Sequence, residues 1–347
     1  MLKIEHKLKA KIRNYGNRRL RNNRVDEIFD RCIYLFPHNF KVVNYPREPV
    51  ASFNPAILPH RDNAAHIVPR LVFEYYSYVS SIGITEKVQT DKLLGGEIKD
   101  LNVHVILHPT QLWEILGCED PRVHIFPNRT LMLYTGKGIT YRDEQKVRRD
   151  VLALAELDRD FNVERKGFFK IAYDGEETVP PSNKDASFLK VEGDKATMLV
   201  RPEIDGRRIC WRCEASLYDL TLDGKTLEPV ILNEPWEEKV GWSTNAVRLS
   251  SNEYLIGWHG VVLNEDSYKN GLAIVDDYGE LLGISDYLLS PRNLPEMYGD
   301  KPLTIFGCGL SIYKEYLIWV GGISDYGVAV FKVELEKALE KIRKINH

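Results

Sequence analysis

The chain has 347 residues, of which 44% are hydrophobic, and this is enough to bury a large core. Lys and Arg number 47 against 50 Asp and Glu, so the formal net charge is -3 and no global positive field favours nucleic acid or an anionic membrane. No apolar run is long enough to cross a bilayer, and the start, Met1 to His6, lacks the apolar stretch of a signal peptide. The five cysteines follow no framework spacing, so we expect reduced thiols in a cytoplasmic protein.

The chain begins with a basic stretch that predicts a helix with a solvated or partner-facing surface. Nucleic-acid binding is an alternative, but one basic helix lacks the wider basic face that such binding requires. We therefore separate residues 1–45, as an N-terminal helical or extended segment, from the rest of the chain. The basic residues are Lys7, Lys9, Lys11, Arg13, Arg18, Arg19, Arg21 and Arg24.

Residues 46–332 contain a two-strand pattern that recurs five times: an apolar strand, a short polar turn and a second strand that ends in an aromatic or polar residue. The second strands begin at positions 71, 131, 197, 254 and 316, which are 60, 66, 57 and 62 residues apart. In the first copy the second strand is predicted over Leu71–Tyr76. Radial repetition of such units buries both faces of each sheet and hides its edges. The pattern thus predicts an all-β domain over residues 46–332, a five-bladed β-propeller.

The last segment, residues 333–347, is predicted to be a helix packed on the propeller. Leu335, Leu339 and Ile342 lie on one stripe, which is the spacing of a buried helical face. The expected fold is therefore a five-bladed propeller with flanking N- and C-terminal helices. These helices would offer packing surfaces for a homo-oligomer.

Polar residues gather where the predicted strands begin or end. The first strand of each propeller blade lines the central channel, so residues at equivalent places in the repeat converge in space. Carboxylates, cations, amides and aromatic rings drawn from every repeat are what a carbohydrate site needs. The residues are Asn54, Glu119, Asp120, Arg122, Asn183, Lys184, Asp185, Thr244 and Asn245, with Tyr76, Thr135, Arg201, His259 and Asp325.

Each of these residues also has a purely structural explanation. Asp120 precedes Pro121, and Asp-Pro is a common turn initiator. His259 could be a buried core histidine, and Lys184 and Arg201 could form surface ion pairs, which are frequent and weak. Their recurrence at equivalent places in the repeat favours a shared site over these separate explanations.

A set of ordered segments resembles glycoside hydrolase family 130, which contains β-mannoside phosphorylases and some β-mannosidases. The resemblance runs from about Pro49 to Phe331 and touches all five repeats. It implies a five-bladed propeller. The segments are Phe53–Ala56, Gly117–Arg122, Lys184–Ala186 with Leu199–Pro202, Lys239–Gly241, Trp258–Val261 and Gly321–Asp325.

The resemblance also implies a reaction and roles for individual residues. The reaction is the inverting phosphorolysis of terminal β-mannosides (β-1,2- or β-1,4-linked manno-oligosaccharides), which gives α-mannose 1-phosphate. Inorganic phosphate is the co-substrate, and neither a cofactor nor a metal is implied. Asp120 matches the general acid, whose proton would pass through a sugar hydroxyl to the glycosidic oxygen. The substrate-binding matches are Asn54, Glu119, Arg122, His259 and Asp325, and the phosphate-binding matches are Lys184, Arg201 and Lys239.

Two departures from the family pattern keep other functions open. The arginine that ends the second strand of the first blade aligns with Tyr76 or Tyr75, while Arg61 and Arg70 fall in the preceding turn. The glycine-rich stretch after Lys239 is replaced by Trp242–Asn245. A β-mannosidase, a non-catalytic sugar-binding propeller and a protein-interaction platform are therefore alternatives. Phosphorolysis is preferred because three of the basic positions are kept.

Overall fold

Nearly all regular structure in the chain is β-strand. The computed structural model describes residues 3–16, 19–126, 129–142 and 144–345. Within these ranges, no helix combines the length and the apolar character needed to cross a membrane. The α-helices are α1 (Lys3–Tyr15), α2 (Thr90–Leu94), α3 (Leu294–Met297) and α4 (Leu335–Glu340), and 3-10 turns lie at Pro37–Asn39 and Leu112–Glu114.

The strands of the first half of the chain are β1 (Asp30–Leu35), β2 (Phe40–Val42), β3 (Ala51–Pro59), β4 (Ala64–Val72), β5 (Ser80–Thr85), β6 (Val88–Gln89), β7 (Leu101–Leu107), β8 (Gly117–Phe126), β9 (Arg129–Arg142), β10 (Gln145–Leu157), β11 (Val163–Phe168), β12 (Lys170–Tyr173) and β13 (Glu176–Thr178). Those of the second half are β14 (Asn183–Glu192), β15 (Lys195–Ile204), β16 (Arg207–Arg208), β17 (Cys210–Ser216), β18 (Thr221–Asp223), β19 (Glu228–Ile231), β20 (Glu237–Trp242), β21 (Val247–Arg248), β22 (Glu253–Val262), β23 (Ser267–Asp276), β24 (Leu281–Ile284), β25 (Ile305–Tyr313), β26 (Tyr316–Ile323), β27 (Gly327–Glu334) and β28 (Arg343–Lys344).

These strands form separate sheets arranged around a common centre. From the centre outward the strand orders are β3-β4-β5-β7-β2, β8-β9-β10-β11, β14-β15-β17-β18-β12-β13, β20-β22-β23-β24-β28 and β25-β26-β27-β1. The innermost strands contact one another in a closed ring, β3 to β8, β8 to β14, β14 to β20, β21 to β25 and β25 back to β3. This radial arrangement is that of a β-propeller. The prediction of an all-β propeller with flanking helices is confirmed.

The number of complete blades differs from the predicted five. Four sheets have one continuous innermost strand. In the sheet of β22 this position is divided between β20 and β21, which pair with opposite ends of β22 and leave residues 243–246 between them. Residues 243–246 belong to neither of these two strands, so the innermost strand of this sheet is interrupted. If only sheets with an uninterrupted innermost strand are counted, the molecule has four blades.

Each continuous innermost strand carries a β-bulge near the same mouth of the channel. Three bulges contain a residue with left-handed backbone, namely Asn54 (φ 46°), Asp120 (φ 54°) and Asp185 (φ 52°). Asn and Asp tolerate this conformation better than other side chains do. A bulge bends the strand and redirects a side chain, and bulges are common beside functional sites. The bulges explain why these three polar residues recur at equivalent places.

The N-terminal segment belongs to the propeller more closely than the predicted boundary at residue 45 implies. β1 pairs with β27 along Asp30–Leu35, so the first strand of the chain closes the last sheet. β2 likewise pairs with β7. The outermost strands were missed because they lie outside the two-strand pattern on which the repeat was recognised.

The basic N-terminal helix also differs from its prediction. α1 ends at Tyr15, and Ile4, Leu8 and Ile12 are buried in the core. Its lysines form ion pairs within the chain, listed here as Lys7–Asp174 (2.7 Å), Lys9–Asp205 (2.6 Å) and Lys11–Glu228 (2.8 Å). The helix therefore packs on the propeller itself instead of presenting a free basic face. Arg18 lies outside the described residues.

The C-terminal helix is shorter than the predicted segment. β27 continues to Glu334, α4 ends at Glu340, and β28 then pairs with β24. The predicted stripe of Leu335, Leu339 and Ile342 does pack against the core. The apolar faces of both terminal helices are thus used inside the chain.

Candidate active site

A cavity of about 270 Å³ lies at the channel mouth where the bulges are found. Eight of the nine site residues predicted from the sequence line it, and the exception is Arg122. The lining residues are Asn54, Arg70, Tyr78, Glu119, Asp120, Lys137, Lys184, Asp185, Arg201, Lys239, His259, Tyr268, Lys301, Thr304, Phe306 and Asp325.

Asp120 projects into this cavity with one carboxylate oxygen held by the protein. Its Oδ1 accepts hydrogen bonds from Asn54 Nδ2 (2.8 Å) and from the Arg70 guanidinium (3.3 Å). Within the described ranges, no hydrogen bond from the protein reaches Oδ2. The carboxylate is therefore oriented through one oxygen, and the other remains available to a ligand.

Arg122 lies behind the cavity and does not line it. Its NH1 donates to the backbone oxygen of Asp120 (2.7 Å), and its Nε and NH2 donate to that of Ser243 (3.1 and 2.7 Å). NH2 also approaches Asp185 Oδ1 at 3.5 Å. The side chain is almost completely buried. Arg122 therefore connects the bulges of Asp120 and Asp185 to the 243–246 stretch. The sequence analysis had expected it to contact the sugar.

Arg70 occupies the place where the sequence analysis expected a tyrosine. The second strand of the first sheet is Ala64–Val72, not Leu71–Tyr76, and Arg70 pairs with Phe53 just as Arg201 pairs with Lys184 beside its own bulge. Tyr76 is fully exposed and lies outside the strand. The prediction was wrong because the apolar run that continues to Tyr76 masked the true end of the strand.

Glu119 is the centre of a buried charge cluster. It forms ion pairs with Arg70 (2.8 Å), Lys137 (3.3 Å) and Lys184 (3.2 Å). Burial alone would raise the pKa of Glu119, but these three positive charges hold the pKa well below its ordinary value. Lys184 also pairs with Asp150 at 3.1 Å. The charge of Lys184 is therefore largely balanced by the protein.

A second group of cations has less compensation. Arg201 Nε donates to Asp185 Oδ2 (2.5 Å), but its NH1 is buried and has no hydrogen-bond partner among the described residues. Lys239 and Lys301 both approach the Tyr268 ring, with Nζ 4.8 and 4.9 Å from the ring centroid. In the part of the chain that the structure describes, neither ammonium has a carboxylate within 4.0 Å. Such a group is suited to an anion brought by a ligand.

The proximity of these cations affects how Lys239 titrates. Burial, together with the positive charge of Arg201, lowers the pKa of Lys239 to about 7, although Asp185 opposes the shift. The Lys239 Nζ donates a hydrogen bond to the hydroxyl of Tyr268. An anion in this part of the cavity would favour the protonated form of Lys239.

His259 lies beside the same group and is neutral at physiological pH. Burial and the charges of Arg201 and Lys239 lower the pKa of His259 to about 3, although Asp185 opposes them. Its Nδ1 is 2.9 Å from Ser243 Oγ, and its ring packs on Tyr268 and Phe306 with centroids 5.5 and 5.0 Å away. His259 can therefore offer a hydrogen bond and a flat surface but no positive charge.

Asp325 faces the cavity from the turn between β26 and β27, in left-handed backbone conformation (φ 50°). Burial raises the pKa of Asp325 to about 6; Arg70 opposes this shift and Asp120 adds to it. The backbone oxygen of Asp325 accepts a hydrogen bond from the Tyr78 hydroxyl at 3.3 Å. The cavity thus contains one carboxylate that titrates close to neutral pH.

Several lining residues were not found from the sequence. Lys137 lies within β9, and Tyr268 lies at the start of β23, so neither falls at the strand ends that were searched. Lys301 and Thr304 come from the long connection between β24 and β25, which has no counterpart in the two-strand repeat. Asp185 was found, but only as one of the polar residues near the strand starts.

The charge of the cavity is opposite to that of the whole chain. Six cationic side chains line it against four carboxylates, whereas the chain carries a net charge of -3. Paired carboxylates, amides and aromatic rings suit a hydroxyl-rich ligand, and the surplus cations suit an anion. The fold and the site together define a propeller with a polar cavity that carries more cations than carboxylates.

Comparison with known proteins places the chain within one family of such propellers. The chain belongs to glycoside hydrolase family 130, whose model, described as beta-1,4-mannooligosaccharide phosphorylase, matches residues 19–344. A 1,2-beta-oligomannan phosphorylase of Thermoanaerobacter sp. strain X514 is 26% identical over 302 residues, which is 83% of this chain and 92% of the relative.

Solved structures show the same fold at low sequence identity. The β-1,2-mannobiose phosphorylase of Listeria innocua, in complex with β-1,2-mannobiose, superposes with a TM-score of 0.67 at 16% identity over 88% of this chain and 96% of that one. A mannose phosphorylase of Leishmania mexicana, in complex with a phosphate ion, gives 0.60 at 13% identity over 98% and 96%. These two structures therefore share the propeller fold of this chain.

Proposed function

We propose that this chain catalyses the inverting phosphorolysis of terminal β-mannosides in β-1,2- or β-1,4-linked manno-oligosaccharides, with release of α-mannose 1-phosphate. The observation that carries the proposal is that one cavity contains both Asp120, with a free carboxylate oxygen, and the incompletely paired cations Arg201, Lys239 and Lys301. Family membership and the named activities of the relatives support the choice of substrate.

Asp120 is the proposed general acid. A phosphate oxygen forms a bond to C1 of the terminal mannose while the C1–O bond to the rest of the chain breaks. The leaving oxygen takes a proton that originates on Asp120 and passes through a sugar hydroxyl. No general base is required, because phosphate is already a nucleophile. The hydrogen bonds from Asn54 and Arg70 to Oδ1 support this role by fixing the direction of the carboxyl group.

The phosphate is proposed to bind to Lys184, Arg201 and Lys239, with Lys301 as a fourth cation. Among the described residues, the Arg201 NH1 has no hydrogen-bond partner, and it and the two ammonium groups beside Tyr268 supply positive charge for the phosphate. Lys184 is shared with Glu119 and Asp150, so we expect it to contribute less than the others. Charge-assisted hydrogen bonds would hold the phosphate in line with C1.

The mannose ring is proposed to lie among Asn54, Glu119, His259 and Asp325. Carboxylates and amides accept and donate hydrogen bonds to hydroxyl groups, and the neutral His259 presents a ring without adding charge.

We further propose that the sheet of β22 acts as a fifth blade, because its divided inner strand still contacts both neighbouring inner strands.

A β-mannosidase is the second candidate, since Asp325 is a further carboxylate in the cavity and an inverting hydrolase needs one to activate water.

The test is to incubate the protein with β-1,2- and β-1,4-mannobiose, with and without phosphate. Mannose 1-phosphate formed only with phosphate supports the phosphorylase. Free mannose released equally in both conditions supports the mannosidase. Binding without turnover, unchanged in Asp120→Asn, supports a non-catalytic sugar-binding propeller, and no binding supports an interaction platform.

A further inference from the structure

One tyrosine of the cavity lining, Tyr78, has two further tyrosines near it, Tyr75 and Tyr326, and we call the three the tyrosine rim. Tyr78 lines the cavity, and the Tyr75 ring stacks on it with centroids 6.2 Å apart. Tyr326 follows the lining residue Asp325 in the chain. Tyr75 is 53% exposed and Tyr326 is 37% exposed. The rim therefore continues the surface of the cavity into solvent.

The two outer tyrosines are anchored to the same short piece of backbone. The Tyr75 hydroxyl donates to the backbone oxygen of Val50 (3.1 Å), and the Ser52 amide donates to the backbone oxygen of Tyr326 (3.2 Å). Burial raises the pKa of Tyr75, and the nearby Asp300 and Tyr326 add to the shift. The Tyr75 side chain and the Tyr326 backbone are thus both held beside the start of β3, which also carries Asn54.

The rim is linked to Asp120 through the Phe53 ring, which lies 6.4 Å from the Tyr78 ring. Tyr78 donates hydrogen bonds to Asp300 and to the backbone of Asp325, and Arg70 lies between the Phe53 ring and Asp120. Arg201 and Lys239 belong to other sheets. An inverting displacement places the nucleophile and the leaving group on opposite faces of the sugar. With phosphate at Arg201 and Lys239, the leaving part of the substrate points toward Asp120 and the rim.

The size of the cavity also indicates that the remaining sugar units of the substrate lie outside it. Its volume of about 270 Å³ is below the usual range of about 300–1,000 Å³ for ligand pockets, and it must hold both mannose and phosphate. Further sugar units therefore leave through the mouth. Tyrosine offers an apolar ring face with a polar tip, which suits a sugar that has C–H groups on its faces and hydroxyls at its edges. Exposed aromatic groups beside a cavity mark binding surfaces.

We propose that the tyrosine rim binds the sugar units beyond the scissile bond, so that the protein prefers manno-oligosaccharides of three or more units to the disaccharide. This inference rests on the proposed function. It assigns the ligand of the rim as the reducing-end part of an oligomannoside chain.

The test compares KM for di-, tri- and tetrasaccharides in the wild type and in the Tyr75→Ala/Tyr326→Ala double variant. We expect KM for the longer chains to rise at least fivefold, and by a larger factor than KM for the disaccharide. Tyr75→Phe keeps the ring and loses only the hydrogen bond to Val50, so its KM for the longer chains should lie between those of the wild type and the double variant. Tyr218→Ala, which removes a ring that is 71% exposed and absent from the cavity lining, is the matched control and should change neither value. If the double variant melts early, Tyr75→Ala alone takes its place.

Failure of the rim and failure of the proposed function give different results. If the ratio of KM between tri- and disaccharide is the same in the variants as in the wild type, the tyrosine rim does not bind the further sugar units, and the proposal of phosphorolysis is unaffected. If the wild type turns over no mannoside, the proposed function fails. Calorimetric binding of the same three sugars then tests the rim, and equal affinity for all three chain lengths would overturn it.

Discussion

Asn54 and Asp120 lie on the innermost strands of neighbouring sheets, and the Asn54 side-chain amide donates a 2.8 Å hydrogen bond to Asp120 Oδ1. Both residues occupy β-bulges and both have left-handed backbone. The bulges turn the two side chains toward each other across the channel mouth. The contact fixes one oxygen of Asp120 and leaves the other facing the cavity, which is the arrangement that a directed proton donor requires.

Replacing Asp120 by Asn should abolish most turnover without unfolding the protein. Asn tolerates the left-handed conformation, so the bulge should be kept while the proton is lost. We expect kcat to fall by about 10²–10⁴, the usual contribution of general acid catalysis. The matched control is Asp266→Asn, since Asp266 has φ 49° and is exposed outside the cavity. Equal kcat in wild type and Asp120→Asn would rule out the assigned role.

Replacing Arg70 by Met should destabilise the protein and impair turnover. Glu119 and Asp120 would lose a shared buried cation, and breaking such a pair typically costs about 3–5 kcal/mol. Lys137 and Lys184 still pair with Glu119, so we expect the lower end of this range in urea unfolding. Tyr76→Ala should change stability by less than about 0.5 kcal/mol, because that side chain is fully exposed. A larger loss of stability and turnover in Tyr76→Ala than in Arg70→Met would instead indicate that Tyr76 is the residue equivalent to the family's arginine.

Lys239 should make phosphate binding depend on pH. Its pKa of about 7 lies below the ordinary lysine value, so the fraction that carries a positive charge falls as pH rises through 7. We expect KM for phosphate to increase above pH 7 in the wild type. Lys239→Arg stays charged and should show a flatter profile, and comparison at each pH cancels the ionisation of phosphate itself. Lys239→Met should raise KM for phosphate at least tenfold. Parallel pH profiles for wild type and Lys239→Arg would contradict this assignment.

Asp325 should make the folded state less stable as pH rises through 6. Its folded pKa of about 6 lies above the ordinary aspartate value, so the folded state binds the proton more tightly than the unfolded state does. The resulting stabilisation is present at low pH and is lost as pH rises through the folded pKa. Asp325→Asn keeps a residue that tolerates φ 50° and removes the titration. Urea unfolding should show a larger gain for the variant at pH 7.5 than at pH 4.5, and an equal gain at both would contradict the shift.

The sequence was most informative where the repeat and the site coincide. Asp120, Lys184 and Arg201 recur beside the bulges of successive inner strands, so periodicity alone brought them to one mouth of the channel. Lys301 could not be found in this way, because it arrives on a connection that occurs once. Arg70 was not recognised as a site residue, because an apolar run continues past the end of its strand and moved the predicted strand end to Tyr76. α1 carries charges that look solvated in sequence, and only the fold shows which carboxylates of the same chain they meet.

The central claim is that phosphate attacks the terminal mannose of a β-mannoside in the cavity of Asp120. Proton NMR during incubation of β-1,2- or β-1,4-mannobiose with phosphate tests it most directly, since the anomeric signal identifies both the product and its configuration. The predicted result is α-mannose 1-phosphate together with an equal amount of free mannose, both formed only when phosphate is present. Free mannose released at the same rate without phosphate, or β-mannose 1-phosphate, would contradict the account.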